Sequence, residues 1–465
     1  MAPFHFVARP PLIVAVVVLV NWGLITHGTF AGSGDEPHYL IIAHSLAFDH
    51  DLDLTNDYAD ATVITSGTLQ PGPHAETSHG LLRPVHDIGM PLLFAPIVRV
   101  LYPLADFAGR HLPAAVLRAA KLNSILIFRH MISLCMSLLA GLLVVELWRC
   151  FAELNSPAPL GWALLFGLSP PILAHSFLFF TEILSALIAL ALFRRLAFTG
   201  LRGRTEALVA GLATGYLALV HIRNIGLIAG LSVLVLLALW RKQIALRHCL
   251  AYAGGVVVFL LVRTAVTYHL WGTLVTTPHA PLGAQTSPAT TATEVFIRFT
   301  GLLFDREYGL LVYAPIYVLS GAGLIVLRRT RPLLFHSVVV VAGLYLLPVL
   351  LPALNVHGWN GAWSPPARFL VPVVPLLALA AYASASEGAR WLVGLLCAWQ
   401  VVLDAYVWQF PKTLWNDGDG IGALFLSPAF PSWAEPSSAA TFALFLIMTL
   451  ALSWWLARLS RTRSA

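Results

Sequence analysis

Long apolar runs recur from one end of this 465-residue chain to the other, and they constrain its fold more than any other feature. Hydrophobic residues make up 58% of the sequence and charged residues only 11%. A soluble globular protein has about 25% charged residues. The runs therefore predict an all-α polytopic membrane protein, and they exclude a soluble enzyme and a secreted disulfide scaffold. The net charge of +6 forms no basic stripe, so no nucleic-acid partner is predicted.

Twelve stretches are apolar and long enough to be predicted as transmembrane helices. They are 11–29, 123–148, 159–176, 178–197, 206–222, 224–240, 249–270, 308–327, 333–353, 368–384, 390–409 and 439–457. The first stretch also resembles a signal peptide. We favour an uncleaved helix, because more apolar stretches follow and the next segment carries candidate functional residues. The sequence has no obvious internal repeat, which argues against an inverted-repeat transporter.

A thirteenth apolar stretch, 88–104, decides the predicted topology. It is short, and it contains three prolines and Arg99. Cytoplasmic loops are enriched in Lys and Arg. If 88–104 does not cross the membrane, four basic regions all lie in the cytoplasm, namely Arg194/Arg195/Arg202/Arg204, Arg241/Lys242/Arg247, Arg328/Arg329/Arg331 and Arg458/Arg461/Arg463. We therefore predict a re-entrant or interfacial helix at 88–104 and cytoplasmic locations for both chain termini.

This topology makes the whole chain, 1–465, a single integral membrane domain with its larger polar loops on the external side. The first external loop, 31–121, carries the predicted interfacial helices. Its part 31–87 holds nine acidic residues and one basic residue, Arg83. The further external loops are 271–307, 354–367 and 410–438. Function usually resides in loops that a rigid scaffold positions, so we expect the site on this side.

Two adjacent carboxylates, Asp35 and Glu36, follow the first predicted helix within Gly32–Tyr39 (GSGDEPHY). The glycines allow a sharp turn at the membrane surface, and Pro37 is suited to the start of a helix. The following run, 38–48, is amphipathic enough to lie in the interface. A partly desolvated carboxylate there is suited to act as a general base or a metal ligand. A solvated helix cap explains the same residues.

The segment Ser33–Tyr39 (SGDEPHY) resembles the Asp-Glu signature of the GT-C-fold glycosyltransferases. These include the protein O-mannosyltransferases and the lipid A aminoarabinose transferases. Other stretches are similar to elements of the same superfamily, in the same order along most of the chain. They are Arg83–Leu93, Leu168–Pro171 followed by Thr181–Glu182, Gly301–Pro315 and Trp359–Pro375.

The resemblance implies a GT-C-like fold and a reaction that moves a sugar from a polyprenyl-phosphate donor to a lipid, glycan or protein acceptor. It places this reaction at the external face of a bacterial inner membrane, with inversion of the anomeric centre. By resemblance, Asp35 is the base that takes the proton of the acceptor hydroxyl, and Glu36 orients the acceptor or the sugar.

The same resemblance implies a set of residues that bind the phosphate and sugar of the donor. They are Arg83, His86, Arg306, Arg368, Glu182 and Tyr39. Arginine suits a leaving phosphate because its planar guanidinium can bond two oxygens. The chain has Tyr308-Gly309-Leu310 where relatives often have Arg-Gly-Leu, with Arg306 two positions earlier. No phosphate-cradling glycine loop is present, which fits a lipid-linked donor.

Residue spacing predicts no metal site. No His-Glu-x-x-His motif occurs, and the acids at 49, 51 and 53 lack the glycine and distal glutamate of a calcium loop. A solvated loop is favoured around Asp57. We predict no definite cofactor, and the need for a divalent cation stays open. Intramembrane Arg129, Arg263 and Asp404 are predicted to form structural contacts with other polar groups.

Two other functions stay open at this stage. A transporter or lipid flippase would need coupled charges along a pathway at the bilayer midplane, whereas the acids of this chain lie outside it. A polymerase or ligase of polysaccharide chains would also work externally with lipid carriers.

Overall fold

The computed structural model describes most of the chain. The described residues are 10–27, 34–60, 69–275, 288–352, 354, 358–361, 364–387, 390–414, 424–425, 427–435 and 438–459. Both ends of the chain, 1–9 and 460–465, lie outside these ranges, as do parts of the predicted external loops. The predicted cytoplasmic location of the termini therefore concerns residues outside the described ranges.

Helices make up most of the described chain. They are α1 (Pro10–His27), α2 (Glu36–Phe48), α3 (Thr55–Ala59), α4 (Gly89–His111), α5 (Ala114–Ala120), α6 (Ser124–Glu153), α7 (Pro159–Gly167), α8 (Ile172–His175), α9 (Thr181–Arg194), α10 (Arg204–Val220), α11 (Ile225–Trp240), α12 (Leu246–Trp271), α13 (Pro288–Phe304), α14 (Leu310–Tyr313), α15 (Leu319–Thr330), α16 (Pro332–Leu350), α17 (Val374–Glu387), α18 (Arg390–Gln409) and α19 (Ser438–Leu459).

The prediction of a helical, multi-pass membrane protein is confirmed. Seven described helical segments are long and apolar enough to cross a membrane. They are Gly89–His111, Ser124–Glu153, Ile222–Trp240, Leu246–Trp271, Pro332–Leu350, Trp391–Gln409 and Ala439–Leu459. Six of them coincide with predicted spans. The seventh is α4, which covers the apolar stretch 88–104 from Gly89 onward and continues to His111. Length and composition allow α4 to cross, so its interfacial position stays a prediction, as does the total of twelve crossings.

Three of the predicted spans are not single helices. The stretch 159–176 contains α7 and α8, which are separated at Pro170 and Pro171. The stretch 308–327 contains α14, a 3-10 turn that begins at Pro315, and most of α15. The stretch 368–384 begins with a 3-10 turn ahead of α17. Proline lacks an N–H donor and restricts the residue before it, so helices end at these positions although the sequence stays apolar.

Residues 34–60 and 69–121, within the predicted first external loop, show two features that the sequence analysis did not describe. It contains a small antiparallel hairpin of β1 (Ala75–Ser78) and β2 (Leu81–Pro84), with Ala75 opposite Pro84. The helix α2 is buried within the protein on nearly all sides and packs against α4, and its predicted position along the membrane interface stays a prediction. Its consecutive apolar residues 40–43 cover a whole helical turn, so this turn has no polar face to present to water.

Acidic loop residues and arginine-rich turns lie at opposite ends of two neighbouring helices. The helix α9 begins beside Glu182 and ends at Arg194. The helix α10 then runs back from Arg204 and ends before His221. The arginines of this connection are therefore separated from the acidic residues by the length of both helices.

The long helices α6 and α12 also connect the acidic end to the basic end, and they run in opposite directions. Near the start of α6, Arg129 contacts Glu36, whereas just past its other end the Leu154 carbonyl accepts a hydrogen bond from Arg331. At the end of α12, the Ser78 hydroxyl of the hairpin donates to the Leu270 carbonyl at 2.6 Å. A basic turn precedes α12, and its 26 residues span about 39 Å at 1.5 Å per residue.

The helices α10 and α12 pack backbone to backbone through glycines. A Cβ atom added at Gly211 would lie 2.0 Å from the Tyr252 carbonyl oxygen, and one at Gly255 would lie 2.6 Å from the Leu208 carbonyl oxygen. Small residues permit such close approach between membrane helices. Gly254, the neighbour of Gly255, faces open space within the described structure. The close packing of α12 on α10 therefore involves the face of α12 that carries Gly255, and not the face that carries Gly254.

Candidate active site

Arg368 joins two acidic residues that are far apart in the sequence. Its Nη2 atom donates to Asp35 Oδ2 at 2.5 Å, and its Nε atom donates to Glu182 Oε1 at 2.8 Å. The guanidinium is buried and lies 4.5 Å from the centre of the Phe180 ring. Charge-assisted hydrogen bonds of this kind are stronger than neutral ones. Three residues that the sequence analysis selected thus form one cluster.

Each member of this cluster lies where a helix starts or is interrupted. Asp35 is the N-cap of α2, and Gly34 before it has a φ of +59°, which glycine adopts without a steric cost. Pro37 lies in the first turn, so the predicted helix start is confirmed. Glu182 lies in the first turn of α9. Arg368 lies on the 3-10 turn before α17.

Glu36 is held by a different set of contacts. Its Oε1 atom accepts the Phe179 backbone N–H at 3.0 Å, and its Oε2 atom lies 3.4 Å from Arg129 Nη2. This contact is one of the polar contacts that the sequence predicted for Arg129. Because both carboxylate oxygens have partners, Glu36 is positioned to fix the start of α2 beside the segment before α9.

Arg223 adds a second guanidinium to the site, which the sequence analysis did not select. Its Nη2 atom lies 3.8 Å from Glu182 Oε1 and 2.9 Å from His221 Nε2. Its guanidinium lies 3.7 Å from the centre of the Phe369 ring. The available signal was an ionisable residue at the start of a predicted span, because such residues are functional candidates by default.

Three histidines form a layer beside Asp35. His74 Nδ1 lies 2.8 Å from His86 Nε2 and 3.8 Å from Asp35 Oδ1. His38 stacks on His74 with ring centres 3.7 Å apart. The ring of Tyr39 lies 4.7 Å from that of His86. The structure thus places the predicted residues His86 and Tyr39 near Asp35, and it adds His38 and His74.

The pKa values of the two adjacent acids are shifted in opposite directions. Burial alone would raise the pKa of Asp35, but the charge and hydrogen bond of Arg368, helped by His86, hold that pKa well below its usual range. Burial raises the pKa of Glu36, and Arg129 opposes this only in part. Opposite shifts in paired acids are typical of sites where the two have different roles.

Two histidines of the layer are neutral at pH 7. Burial and the neighbouring His74 lower the pKa of His38 to about 3. Burial also lowers the pKa of His74, although Asp35 acts in the opposite direction. Neutral imidazoles can accept a hydrogen bond or bind a metal ion through a free ring nitrogen.

Two of the predicted donor-binding arginines have their described contacts elsewhere. Arg306 forms an ion pair with Glu435, and its backbone N–H donates to the Pro431 carbonyl at 2.8 Å. Arg83 lies in β2 opposite Glu76. Its side chain is buried, and its Nε atom has no hydrogen-bond partner in the described part of the chain. Among the predicted arginines, Arg368 is the one in direct contact with Asp35 in this part of the chain.

Two further acids, Asp87 and Asp404, have polar partners in the described structure. Asp87 accepts the Ile222 backbone N–H at 2.6 Å and a hydrogen bond from Arg263 at 3.0 Å. Asp404 accepts hydrogen bonds from Ser169 at 2.6 Å and from Gln400 at 2.9 Å. The predicted structural contacts of Arg263 and Asp404 are therefore confirmed.

A mostly apolar groove of about 1030 Å³ lies between α1, α7 and α18. Leu164, Leu168, Val401 and Trp408 contribute to its wall, and Asp404 is its charged member. Because Asp404 also binds Ser169, the groove extends to the interruption between α7 and α8. A groove of this composition can hold a hydrocarbon chain.

Asp35, His74 and His86 also have the composition of a metal site. One ligand atom from each lies within 4.8 Å of the others. One carboxylate and two imidazoles are ligand types that suit Zn²⁺ or Mn²⁺. The residues therefore fit the divalent cation that the sequence analysis left open, although Asp35 is also bound to Arg368.

Comparisons with protein-family models, with curated proteins and with solved structures found no match for this chain. The chemistry of the site is therefore the basis for the function. A carboxylate that is ionised at neutral pH contacts the Arg368 guanidinium, and a second guanidinium, that of Arg223, lies 3.8 Å from the Glu182 oxygen that Arg368 also contacts. Such an arrangement can bind an anion and accept a proton in the same place.

Proposed function

We propose that this protein is an integral-membrane glycosyltransferase of the GT-C type. It transfers a sugar from a polyprenyl-phosphate donor to a lipid, glycan or protein acceptor at the external face of a bacterial inner membrane. The observation that carries this proposal is the contact of Arg368 with both Asp35 and Glu182. It brings a candidate base and a candidate phosphate ligand into one buried cluster at a helix start.

In the proposed reaction, the acceptor hydroxyl oxygen attacks the anomeric carbon of the donor. The bond between that carbon and the phosphate oxygen breaks, and polyprenyl phosphate leaves with the electron pair. The acceptor proton passes to Asp35. One displacement on the face opposite the leaving group inverts the anomeric centre. Arg368 and Arg223 stabilise the charge that develops on the phosphate.

In this proposal, Arg368 has two successive partners: first Asp35, and then the donor phosphate. Before the donor binds, Arg368 is hydrogen-bonded to both Asp35 and Glu182. A donor phosphate would compete for the same guanidinium, because arginine binds phosphate and carboxylate oxygens by the same fork of N–H groups. Asp35 would then lose its strongest cationic partner. Since burial raises its pKa, Asp35 would become a stronger base when the donor is in place.

Two features of the whole chain support this function. The groove between α1, α7 and α18 is suited to the polyprenyl tail, because its wall is nearly all apolar. The arginine-rich turns lie at the far ends of α9 and α12 from the acidic cluster. The enrichment of Lys and Arg in cytoplasmic loops then favours an external location for the cluster.

The replacement Asp35→Asn tests the base directly. It keeps the size and one hydrogen-bond acceptor but removes the charge, so we expect transfer to fall by about 10²–10⁴-fold. Mass spectrometry of glycans and lipids from a deletion strain, complemented with each variant, identifies the product and measures its loss. Asp51→Asn is the matched control, because Asp51 is an exposed acid of the same loop outside the cluster. Near-normal product with Asp35→Asn in the membrane would overturn the base assignment.

The same strain separates the proposal from the two other functions. A transporter or flippase would produce transbilayer flux of a lipid-linked sugar without a new covalent product. A polymerase or ligase would add blocks of many sugars, so the mass of its product would differ from single-sugar transfer.

A further inference from the structure

A second group of potential metal ligands lies in the first external loop, on residues that the proposed reaction does not use. His44 lies near the end of α2, Asp49 follows this helix directly, and Asp57 lies on α3. One ligand atom from each of the three lies within 4.8 Å of the others. Nδ1 of His44 and Oδ1 of Asp57 are 3.0 Å apart.

Asp57 provides the second, independent observation. The residue is only 8% exposed. Its Oδ2 atom is buried and has no hydrogen-bond partner in the described part of the chain. Buried polar atoms are nearly always hydrogen-bonded, and leaving one without a partner is costly. A cation beside this carboxylate would satisfy the oxygen. A solvated loop, which the sequence favoured, does not explain a buried aspartate.

We propose that His44, Asp49 and Asp57 bind a divalent transition-metal ion of the Zn²⁺ type. Calcium and magnesium prefer oxygen ligands, whereas an imidazole nitrogen with carboxylates suits zinc and its neighbours. Two carboxylates and a neutral imidazole also balance the double positive charge of the ion. The site thus selects the ion by both ligand type and charge.

The geometry of the cluster is close to that of a bound ion. Zinc binds nitrogen and oxygen at about 2.0–2.2 Å, which holds two neighbouring ligand atoms about 3–3.5 Å apart. His44 Nδ1 and Asp57 Oδ1 share a hydrogen bond at 3.0 Å, and an ion bound by both atoms would replace its proton at nearly the same separation. Asp49 is exposed, so its side chain can rotate to complete the site. The Asn56 amide donates to Asp49 Oδ2 at 3.1 Å and keeps this carboxylate beside α3.

The ion would connect α3 to the helix that carries the acidic pair. These two helices already meet at a second point, where His38 Nδ1 and Tyr58 Oη are 2.7 Å apart. A metal bridge between His44 and Asp57 would fix α2 near its other end. The site therefore positions α2 rather than acting on a substrate, and it stands whether or not the proposed glycosyl transfer is correct.

The test measures Zn²⁺ on the purified full chain in detergent, without an affinity tag that binds metal. We expect about one tightly bound ion at the cluster, measured by mass spectrometry of the metal and by competition with a chromophoric chelator. Asp57→Asn and Asp49→Asn should each weaken Zn²⁺ binding at least 10-fold. Asp51→Asn should bind as the unchanged protein does, because it removes the same charge from an exposed neighbour outside the cluster.

His74→Ala separates this cluster from the one beside Asp35. If both clusters bind an ion, Asp57→Asn and His74→Ala should each remove one ion. Loss of all metal with His74→Ala and none with Asp57→Asn would overturn the proposal. So would the absence of saturable Zn²⁺ binding in the unchanged chain. If Asp57→Asn does not fold, Asp49→Asn decides the question, because Asp49 is exposed and its replacement does not disturb the core.

Discussion

At the scale of single residues, the chemistry of the site depends on how Arg368 is shared. This arginine contacts Asp35 on one side and Glu182 on the other. Arg223 contacts Glu182 but is not in contact with Asp35 in the described structure. The two arginines therefore have different expected effects on the acidity of the proposed base, although both could contact a phosphate.

Arg368→Gln is expected to change both the rate and its dependence on pH. Loss of a donor aimed at developing charge costs about 10²–10³-fold in rate. Arg368 lowers the pKa of Asp35, and without it burial raises that pKa unopposed. A base must be ionised, so the low-pH loss of kcat/KM should move to higher pH in the variant.

Arg223→Gln is the control for this pH profile. It should weaken donor use without moving the low-pH loss, since Arg223 does not contact Asp35 in the described structure. Profiles of kcat/KM against pH for the unchanged protein and both variants provide the comparison. If the low-pH loss fell at the same pH in all three, Asp35 would not be the titrating base.

At the scale of helices and strands, local sequence predicted the positions of most elements but not their interruptions. Apolar runs identify spans because each run is read from neighbouring residues. The breaks in 159–176 and 368–384 were missed, since these runs stay apolar through their prolines and turns. The hairpin β1–β2 was missed because its strands are only four residues each.

Because sequence patterns report only on neighbouring residues, they identified some residues of the site and missed others. Asp35 and Glu36 were recognisable because a polar pair is conspicuous after an apolar helix, and the family resemblance selected Arg368. Their contacts depend on helix packing between distant parts of the chain, which no local pattern records. His74 lies in a loop without periodicity, so its place beside Asp35 could not be predicted.

The glycine contact between α10 and α12 leads to a prediction at this scale. Gly255→Ala would place a methyl group against the Leu208 carbonyl, and such overpacking costs about 1–3 kcal/mol. We expect a lower Tm for the protein in detergent. Gly254→Ala makes the same chemical change on an open face of the same helix and should leave Tm nearly unchanged. Equal Tm values for the two variants would contradict the close packing of α10 on α12.

At the scale of the whole molecule, charge is divided between the two ends of the helical bundle. The acidic cluster and the hairpin lie at one end of α9 and α12, and the arginine-rich turns lie at the other. This division is the physical basis for the proposed sidedness.

Labelling with a membrane-impermeant maleimide tests the proposed sidedness. In a background with the four native cysteines replaced by serine, His79→Cys should react in intact spheroplasts, because the proposed topology places the hairpin turn outside. Lys242→Cys lies in the basic turn before α12 and should react only after permeabilisation. The reverse pattern would place the acidic cluster in the cytoplasm and remove the basis for an external reaction.

The separation of Asp35 and Arg368 by 333 residues has a consequence for how the protein is made. Translation proceeds at about 5–20 residues per second, so the arginine emerges some tens of seconds after the aspartate. Throughout that interval, Asp35 lacks the Arg368 side chain that pairs with it in the folded protein, and Glu182 lacks it from the time residue 182 is made. The anionic pocket can therefore close only late in biogenesis, and ribosomes that stop before residue 368 release a chain in which it never forms.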